Sequence, residues 1–172
     1  MPTVPGLQIR KAKPTDIDDI LAIENQRFTN PWGKKYFTGE LTHDISYFYV
    51  AEDTISHRVA GYIIFWIVEE EAELHKIAVA REYDKKGIGK ELFLFMLETA
   101  ARRKVEEVFL EVRKSNTGAI KFYEAFHFTL SNTRKDYYSD PTEDALIYRL
   151  KMDSLFNVQY SSFAGGETPP LP

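Results

Sequence analysis

The stretch AVAREYDKKGIGKEL, residues 78 to 92, changes from a strand-like to a helix-like pattern across two glycines. Upstream of it, AELHKIAV reads as a strand. Downstream, Ile88, Leu92, Phe95, Met96 and Thr99 keep the helical period until about Lys104, and EEVFLEV is a strand again. Two strands joined through a helix are expected to pair in parallel, with the helix on one face of their sheet. A chain of 172 residues suffices for one such domain and is marginal for two.

The flanking segments fit that frame. A short strand near Leu7–Arg10 precedes KPTDIDDILAIENQ, where Thr15 followed by Asp18 predicts a capping box. Ile17, Ile20, Leu21 and Glu24 then trace a helix face that is apolar until its last turn. A second short helix is expected over 34–41, after the aromatic loop RFTNPW. SYFYVAE and RVAGYIIFWIV read as strands, rich in β-branched and aromatic residues, and Glu69–Glu71 turns the chain into AELHKIAV. A further helix is expected over 116–126, with Ala119, Phe122, Tyr123 and Phe126 on one face. FTLSNTRKDYY and DALIYRLKM then form a last antiparallel pair. From Asp153 the pattern decays into a Gly/Pro-rich end. This predicts one domain over residues 1–152 and a mobile tail over 153–172, which Phe156, Tyr160 and Phe163 could dock.

Composition removes several classes of function. With no cysteine, disulfides, thiolate catalysis and cysteine metal sites are excluded. Four scattered histidines lack ligand spacing, so no metal is expected. A net charge of −4 without basic blocks gives no reason to expect nucleic-acid binding. The longest apolar run, Val59 to Val68, is interrupted by Gly61 and is half the length of a membrane helix. The N-terminal residues hold no apolar segment of signal-peptide length, so a cytoplasmic protein is expected.

The glycine joint fails two familiar phosphate patterns. A P-loop requires glycine where Asp84 stands and Ser or Thr where Glu91 stands. A dinucleotide fingerprint requires a third glycine where Leu92 stands. What remains is a strand, a glycine turn and a helix N-terminus whose amides and dipole suit an anion such as a pyrophosphate. The plain alternative is a tight turn.

AELHKIAV, GIGKEL, EVRKSNTGAIKFYEAFHF and DYYSDPTEDALIYRL, in that order, resemble the GNAT N-acetyltransferases. Within them the chain resembles the RimI type, the ribosomal-protein-alanine N-acetyltransferases, from about Ile9 to Met152, including PW and FTGEL near the start. The resemblance implies an α/β (α+β) GNAT fold. Its central sheet is mixed and mostly antiparallel, with helices on both faces and a splayed parallel strand pair forming an acetyl-CoA cleft. It implies that the backbone of Ile77, Ala78 and Val79 pairs with the pantetheine arm. Lys85, Lys86, Gly87, Ile88, Gly89 and Lys90 would wrap the pyrophosphate, and Asn116 would meet the arm near its thioester. Asp84 departs from the Gln or Arg that the family usually has there. It is expected to turn away while Lys85, Lys86 and Arg81 supply positive potential, and it bears on cofactor affinity.

Acyl transfer to an amine needs a neutral amine, a polarised carbonyl and a protonated leaving thiol. Glu111, in a strand apolar enough to be buried on both faces, is a candidate base; the alternative is a salt bridge to Arg113. Tyr123 is a candidate acid or hydrogen-bond donor to the sulfur, and a cofactor neighbour; the alternative is a core aromatic. The family match, LEVR-SN followed by AIKFYE, implies the catalytic reading for both. His75 and Glu73 are the alternative bases. His75 is read more as a packed strand residue, and Glu73 sits at the strand entrance beside Glu69–Glu71, a solvated turn that also attracts a cationic N-terminus. Trp32 in RFTNPW, with Tyr137 and Tyr138 in KDYYSDPTEDA, would line the peptide side. Of the two tyrosines one is expected to pack inward, and Tyr138 is the expected essential one. The expected substrate is a protein or peptide N-terminus, with a ribosomal protein as the named class. The rival readings are acetylation of a small amine such as a polyamine or an antibiotic, and a non-catalytic CoA-binding module.

Overall fold

The computed structural model describes residues 4–152, and every element expected within them forms. In chain order these are β1 (Leu7–Lys11), α1 (Ile17–Arg27), α2 (Lys34–Glu40), β2 (Ser46–Asp53), β3 (Val59–Val68), β4 (Glu71–Val79) and α3 (Ile88–Arg102). β5 (Glu107–Arg113), α4 (Thr117–Ala125), β6 (Thr129–Ser139) and β7 (Thr142–Lys151) complete the chain. The strands form one mixed seven-stranded sheet in the order β1-β2-β3-β4-β5-β7-β6. The expected tail over 153–172 lies outside the described residues.

The chain divides into two compact units: residues 1–67 with 74–97, and residues 68–73 with the chain from Glu98 onward. In the first, β1, β2 and β3 are antiparallel, with Leu7 opposite Asp53 and Ser46 opposite Trp66. Ile17, Ile20 and Ile23 of α1 and Phe37 of α2 bury against Phe48, Val50, Tyr62 and Ile64 of the sheet. Each such side chain removed from water stabilises the fold by about 1.5–3 kcal/mol. The start of α1 differs from expectation. Thr15 sits inside a 3₁₀ turn, Pro14–Asp16, so the Thr15–Asp18 box does not form. Asp16 precedes α1 without a side-chain bond to it; its carboxylate closes the 3₁₀ turn, accepting the Lys13 N–H at 2.7 Å and pairing with Arg10 at 2.8 Å. The Arg10 guanidinium and the Lys13 amide hold that carboxyl below its usual range against the opposing effect of burial.

In the second unit β5, β7 and β6 are antiparallel, with Glu111 opposite Ile147 and Arg113 opposite Ala145. β6 pairs with β7 through two register shifts, at Leu130/Asn132 and at Arg134/Tyr138. Tyr123, Phe126 and Phe128, in and just after α4, are buried. Among the described residues no helix is long and apolar enough to cross a membrane.

Candidate functional site

In the first unit the glycine joint is a cradle of backbone. β4 ends at Val79, a 3₁₀ turn spans Arg81–Tyr83, and α3 starts at Ile88. Between them Lys85 (φ 60) and Gly87 (φ 80) lie in the left-handed region, which bends the chain sharply into the helix. The first helical hydrogen bond runs from the Glu91 N–H to the Gly87 carbonyl, 3.1 Å. The amides N-terminal to it are the ones such a turn presents to an anion. Lys85, Lys86 and Gly87 are exposed, Gly89 and Lys90 are half-buried, and Ile88 anchors the turn in the core.

Asp84 pairs with Arg27 at the end of α1, so its charge is matched by a partner that no local pattern signals. The same guanidinium donates through Nε to the Val79 carbonyl at 2.6 Å. Arg81 turns the other way, to the Gln26 carbonyl at 2.8 Å, rather than into the joint. Of the expected pantetheine edge, Ala78 is buried while Ile77 and Val79 are half-buried. Gly61 of β3 lies so close beneath that edge that a Cβ there would stand 2.8 Å from the Ala78 carbonyl oxygen. Trp32 packs against Tyr36 and Phe37, with ring centroids 5.9 and 5.8 Å away. His75 is packed against Trp66, centroids 4.2 Å apart.

The second unit gathers Glu111, Asn116, Tyr123, Tyr137 and Tyr138. β5 is buried on one face only, through Val108, Leu110 and Val112. Glu111 belongs to the other, half-exposed face, which corrects the expectation of a strand buried on both sides. Its ion partner is also not Arg113. Arg134 of β6 meets the Glu111 carboxylate at 2.7 Å, and Arg113 pairs with Glu143 at 2.8 Å. The register explains the exchange. Arg113, Ala145 and Arg134 lie in one cross-strand row, so both arginines share the face of Glu111 with only a methyl between them.

After Arg134 the bulge brings Tyr138 opposite Glu143, on that same face, and the Asp136 N–H holds it by donating to Asp144 Oδ1 at 3.1 Å. Tyr138 is the one residue of β6 that is not exposed, whereas Tyr137 is 51% exposed. The Arg113 guanidinium lies 4.1 Å above the Tyr138 ring. Burial, reinforced by the Glu111 charge, pushes the Tyr138 phenol up. Tyr123 is buried, and burial together with the nearby Tyr138 pushes its phenol up to about 12. Asn116 is the N-cap of α4. Its carboxamide oxygen accepts the Ala119 N–H at 3.2 Å, so its amide hydrogens are what it can offer a ligand. Glu73 is exposed in β4. Among the described residues no group of three or more His, Asp or Glu could hold a metal ion.

Helix N-terminal amides beside lysines suit an anion, and a carboxylate beside phenols suits proton handling. Residues 17–128 match the family model described as acetyltransferase (GNAT) family. The chain belongs to the GNAT family. This GNAT protein is an N-acetyltransferase, as its relatives are. One from Bacillus subtilis (strain 168) is 36% identical over 139 residues, 81% of this chain and 91% of its own. The ribosomal protein bS18-alanine N-acetyltransferase of Escherichia coli (strain K12) is 31% identical over 144 residues, 83% of this chain and 95% of its own. An N-alpha-acetyltransferase of Sulfurisphaera tokodaii is 31% identical over 153 residues, 81% of this chain and 90% of its own.

The crystal structure of the Escherichia coli ribosomal-protein-S18-alanine N-acetyltransferase superposes with a TM-score of 0.79 at 30% identity, covering 86% of this chain and 94% of that one. Arabidopsis thaliana NAA60, solved in complex with acetyl-CoA, shares the fold with a TM-score of 0.76 at 17% identity, covering 85% of this chain and 98% of that one. Nothing in the sequence pattern signals that Arg27 answers Asp84, that Arg134 answers Glu111, or that Gly61 lies against the Ala78 carbonyl.

Proposed function

We propose that this N-acetyltransferase moves the acetyl group of acetyl-CoA onto the α-amine of a protein N-terminus, with a ribosomal protein as one such substrate. The observation that carries the reading is the grouping of Glu111, Tyr123 and Tyr138 by charge and register in a chain 31–36% identical to enzymes of that chemistry. Acetyl-CoA supplies the thioester, an activated acyl group on a good leaving thiol. The cradle at Lys85–Lys90 suits its pyrophosphate: glycine at a left-handed turn, the N-terminal amides of α3 and lysines around them.

The amine nitrogen forms a bond to the thioester carbonyl carbon, and the carbon–sulfur bond breaks. Glu111 takes the proton the nitrogen sheds. An α-amine with pKa near 7.7–8.0 is already roughly a tenth neutral at pH 7, whereas a lysine near 10.4 is less than about a thousandth neutral. A carboxylate base therefore suffices for an N-terminus.

Tyr123 serves as a hydrogen-bond donor rather than a net acid. Its phenol is pushed up to about 12, some three to four units above a thiol near 8.5. Handing the proton over would cost about 5 kcal/mol, while a hydrogen bond to the sulfur costs nothing of the kind. The thiolate then takes its proton from solvent. The test is thiol release from acetyl-CoA, with mass spectrometry of products, against N-terminal peptides, lysine peptides and spermidine. N-terminal peptides beginning with a small residue are expected to react fastest. Faster acetylation of lysine side chains or spermidine than of every N-terminal peptide would overturn the reading.

A further inference from the structure

Glu24 of α1 is fully buried in the first unit, which a carboxylate tolerates only when its oxygens are engaged. Oε1 accepts the Trp32 backbone N–H at 2.7 Å and the Lys76 ammonium at 2.8 Å, and Oε2 accepts the Tyr62 hydroxyl. The ammonium in turn lies 3.8 Å from the centroid of the Phe28 ring and 4.7 Å from that of Trp32. One cation on β4 therefore touches both ends of the loop between α1 and α2, and the carboxylate that faces it holds the loop backbone at Trp32.

That loop has no regular structure of its own, and Thr29, Asn30 and Pro31 at its tip are exposed. Burial pushes the Lys76 amine down, opposed by Glu24, and the ammonium sits against that carboxylate and the two rings. A buried ion pair is not the most stable filling for such a space: apolar side chains of similar volume do as well or better. What the pair adds is direction. Lys76 and Tyr62 hold the carboxylate. Its one hydrogen bond to the Trp32 N–H, with two ring faces on the ammonium, fixes the loop where apolar packing alone would let it slide.

We propose that Lys76 and Glu24 form a staple that presets the Phe28–Trp32 loop for the incoming peptide N-terminus. They are then positioning residues that set peptide affinity rather than acetyl-CoA affinity. The proposal rests on the peptide-acetylating function above and adds to it the residues that fix the peptide-side wall. Lys76→Met keeps the stem and removes the charge, Lys76→Arg keeps a cation over the rings, and Glu24→Gln keeps the shape.

The experiment measures KM for acetyl-CoA, KM for the best N-terminal peptide and kcat in the full chain. Alongside it, Trp32 emission is read in a Trp66→Phe background. Lys76→Met is expected to raise the peptide KM about tenfold or more, as sub-ångström loop displacement does, with acetyl-CoA KM changed less than about twofold. Lys76→Arg is expected to restore most of the loss, and the Met variant to shift Trp32 emission. If Lys76→Met fails to fold, Glu24→Gln carries the same expectation. A peptide KM and Trp32 emission equal to wild type in a folded charge-removing variant overturns the staple. So does an equal loss in both KM values and kcat, which marks plain structural damage. A wild-type protein that acetylates no N-terminal peptide overturns the proposed function instead, and the staple is then decided by Trp32 emission.

Discussion

Replacing Gly61 by Ala places a methyl group 2.8 Å from the Ala78 carbonyl oxygen, 3.3 Å from Leu92 Cδ1 and 3.3 Å from Val79 Cγ2. The two side-chain atoms can yield by a few tenths of an ångström. The carbonyl cannot yield alone, because it is backbone in β4 and the next residues are tied down: the Ala80 N–H donates to the Ala60 carbonyl at 2.8 Å. The strand must therefore move by about half an ångström to reach ordinary contact distance. Overpacking of this kind costs about 1–3 kcal/mol, and the alanine recovers about 0.5–1 kcal/mol through a stiffer unfolded chain. The net loss is centred on about 1 kcal/mol, or about 2–4 °C in Tm for a chain of this size. The displaced residues, Ala78 and Val79, are the edge proposed above for the pantetheine arm. The assay is thermal unfolding with and without acetyl-CoA at millimolar concentration, in wild type and Gly61→Ala. The variant should melt lower and gain a smaller acetyl-CoA shift. A variant as stable as wild type with an undiminished shift would refute the close approach of β3 to a binding edge in β4.

Gly87→Val introduces a β-branched side chain at φ 80 and should cost at least about 1–2 kcal/mol while shrinking the acetyl-CoA-induced rise in melting temperature; an unchanged rise would separate the turn from the phosphate. Tyr123→Phe should lower kcat about tenfold to a hundredfold with acetyl-CoA KM within about twofold, measured by steady-state thiol release. The same residue makes a pH prediction. Its folded pKa is raised from 10 to about 12, so its contribution to stability is complete below pH 10 and is lost as pH rises through 12. Urea unfolding at pH 9 and pH 11 should show wild type losing more stability between the two than Tyr123→Phe, and equal losses would contradict the assignment. Tyr138→Ala should raise peptide KM about tenfold and leave acetyl-CoA binding intact by calorimetry; the same change at exposed Tyr137 should do less.

Period and turn chemistry made the elements legible, because each is a local property of the chain. Strand AELHKIAV, the glycine joint and the capped helix after Asn116 could be placed without any partner in view. The capping box at Thr15–Asp18 failed for the opposite reason. Asp16 was captured by Arg10, a strand residue whose approach depends on how β1 lies against the turn. Glu24 showed itself as a polar residue on an apolar face, but its cation is in β4 and nothing in α1 points there.

The electrostatics around the candidate base is still less local. Arg113 is two residues from Glu111 on the same strand face, and sequence spacing alone makes it the natural partner. The sheet decides otherwise, because β7 sets Arg113, Ala145 and Arg134 in one row and hands Arg113 to Glu143. A one-residue slip of β6 would send Arg134 and Tyr138 together to the opposite face. The cation on the candidate base and the phenol beside it thus depend on the register shift between Leu130 and Asn132, and Tyr138 depends further on the bulge after Arg134. Asp84 makes the same case for the glycine joint. By sequence it is a carboxylate where phosphate should bind. In the fold its charge is answered by Arg27, 57 residues earlier, and that guanidinium also grips the end of β4. A substitution that looks unfavourable for an anion site is therefore compatible with one, provided α1 keeps its arginine there.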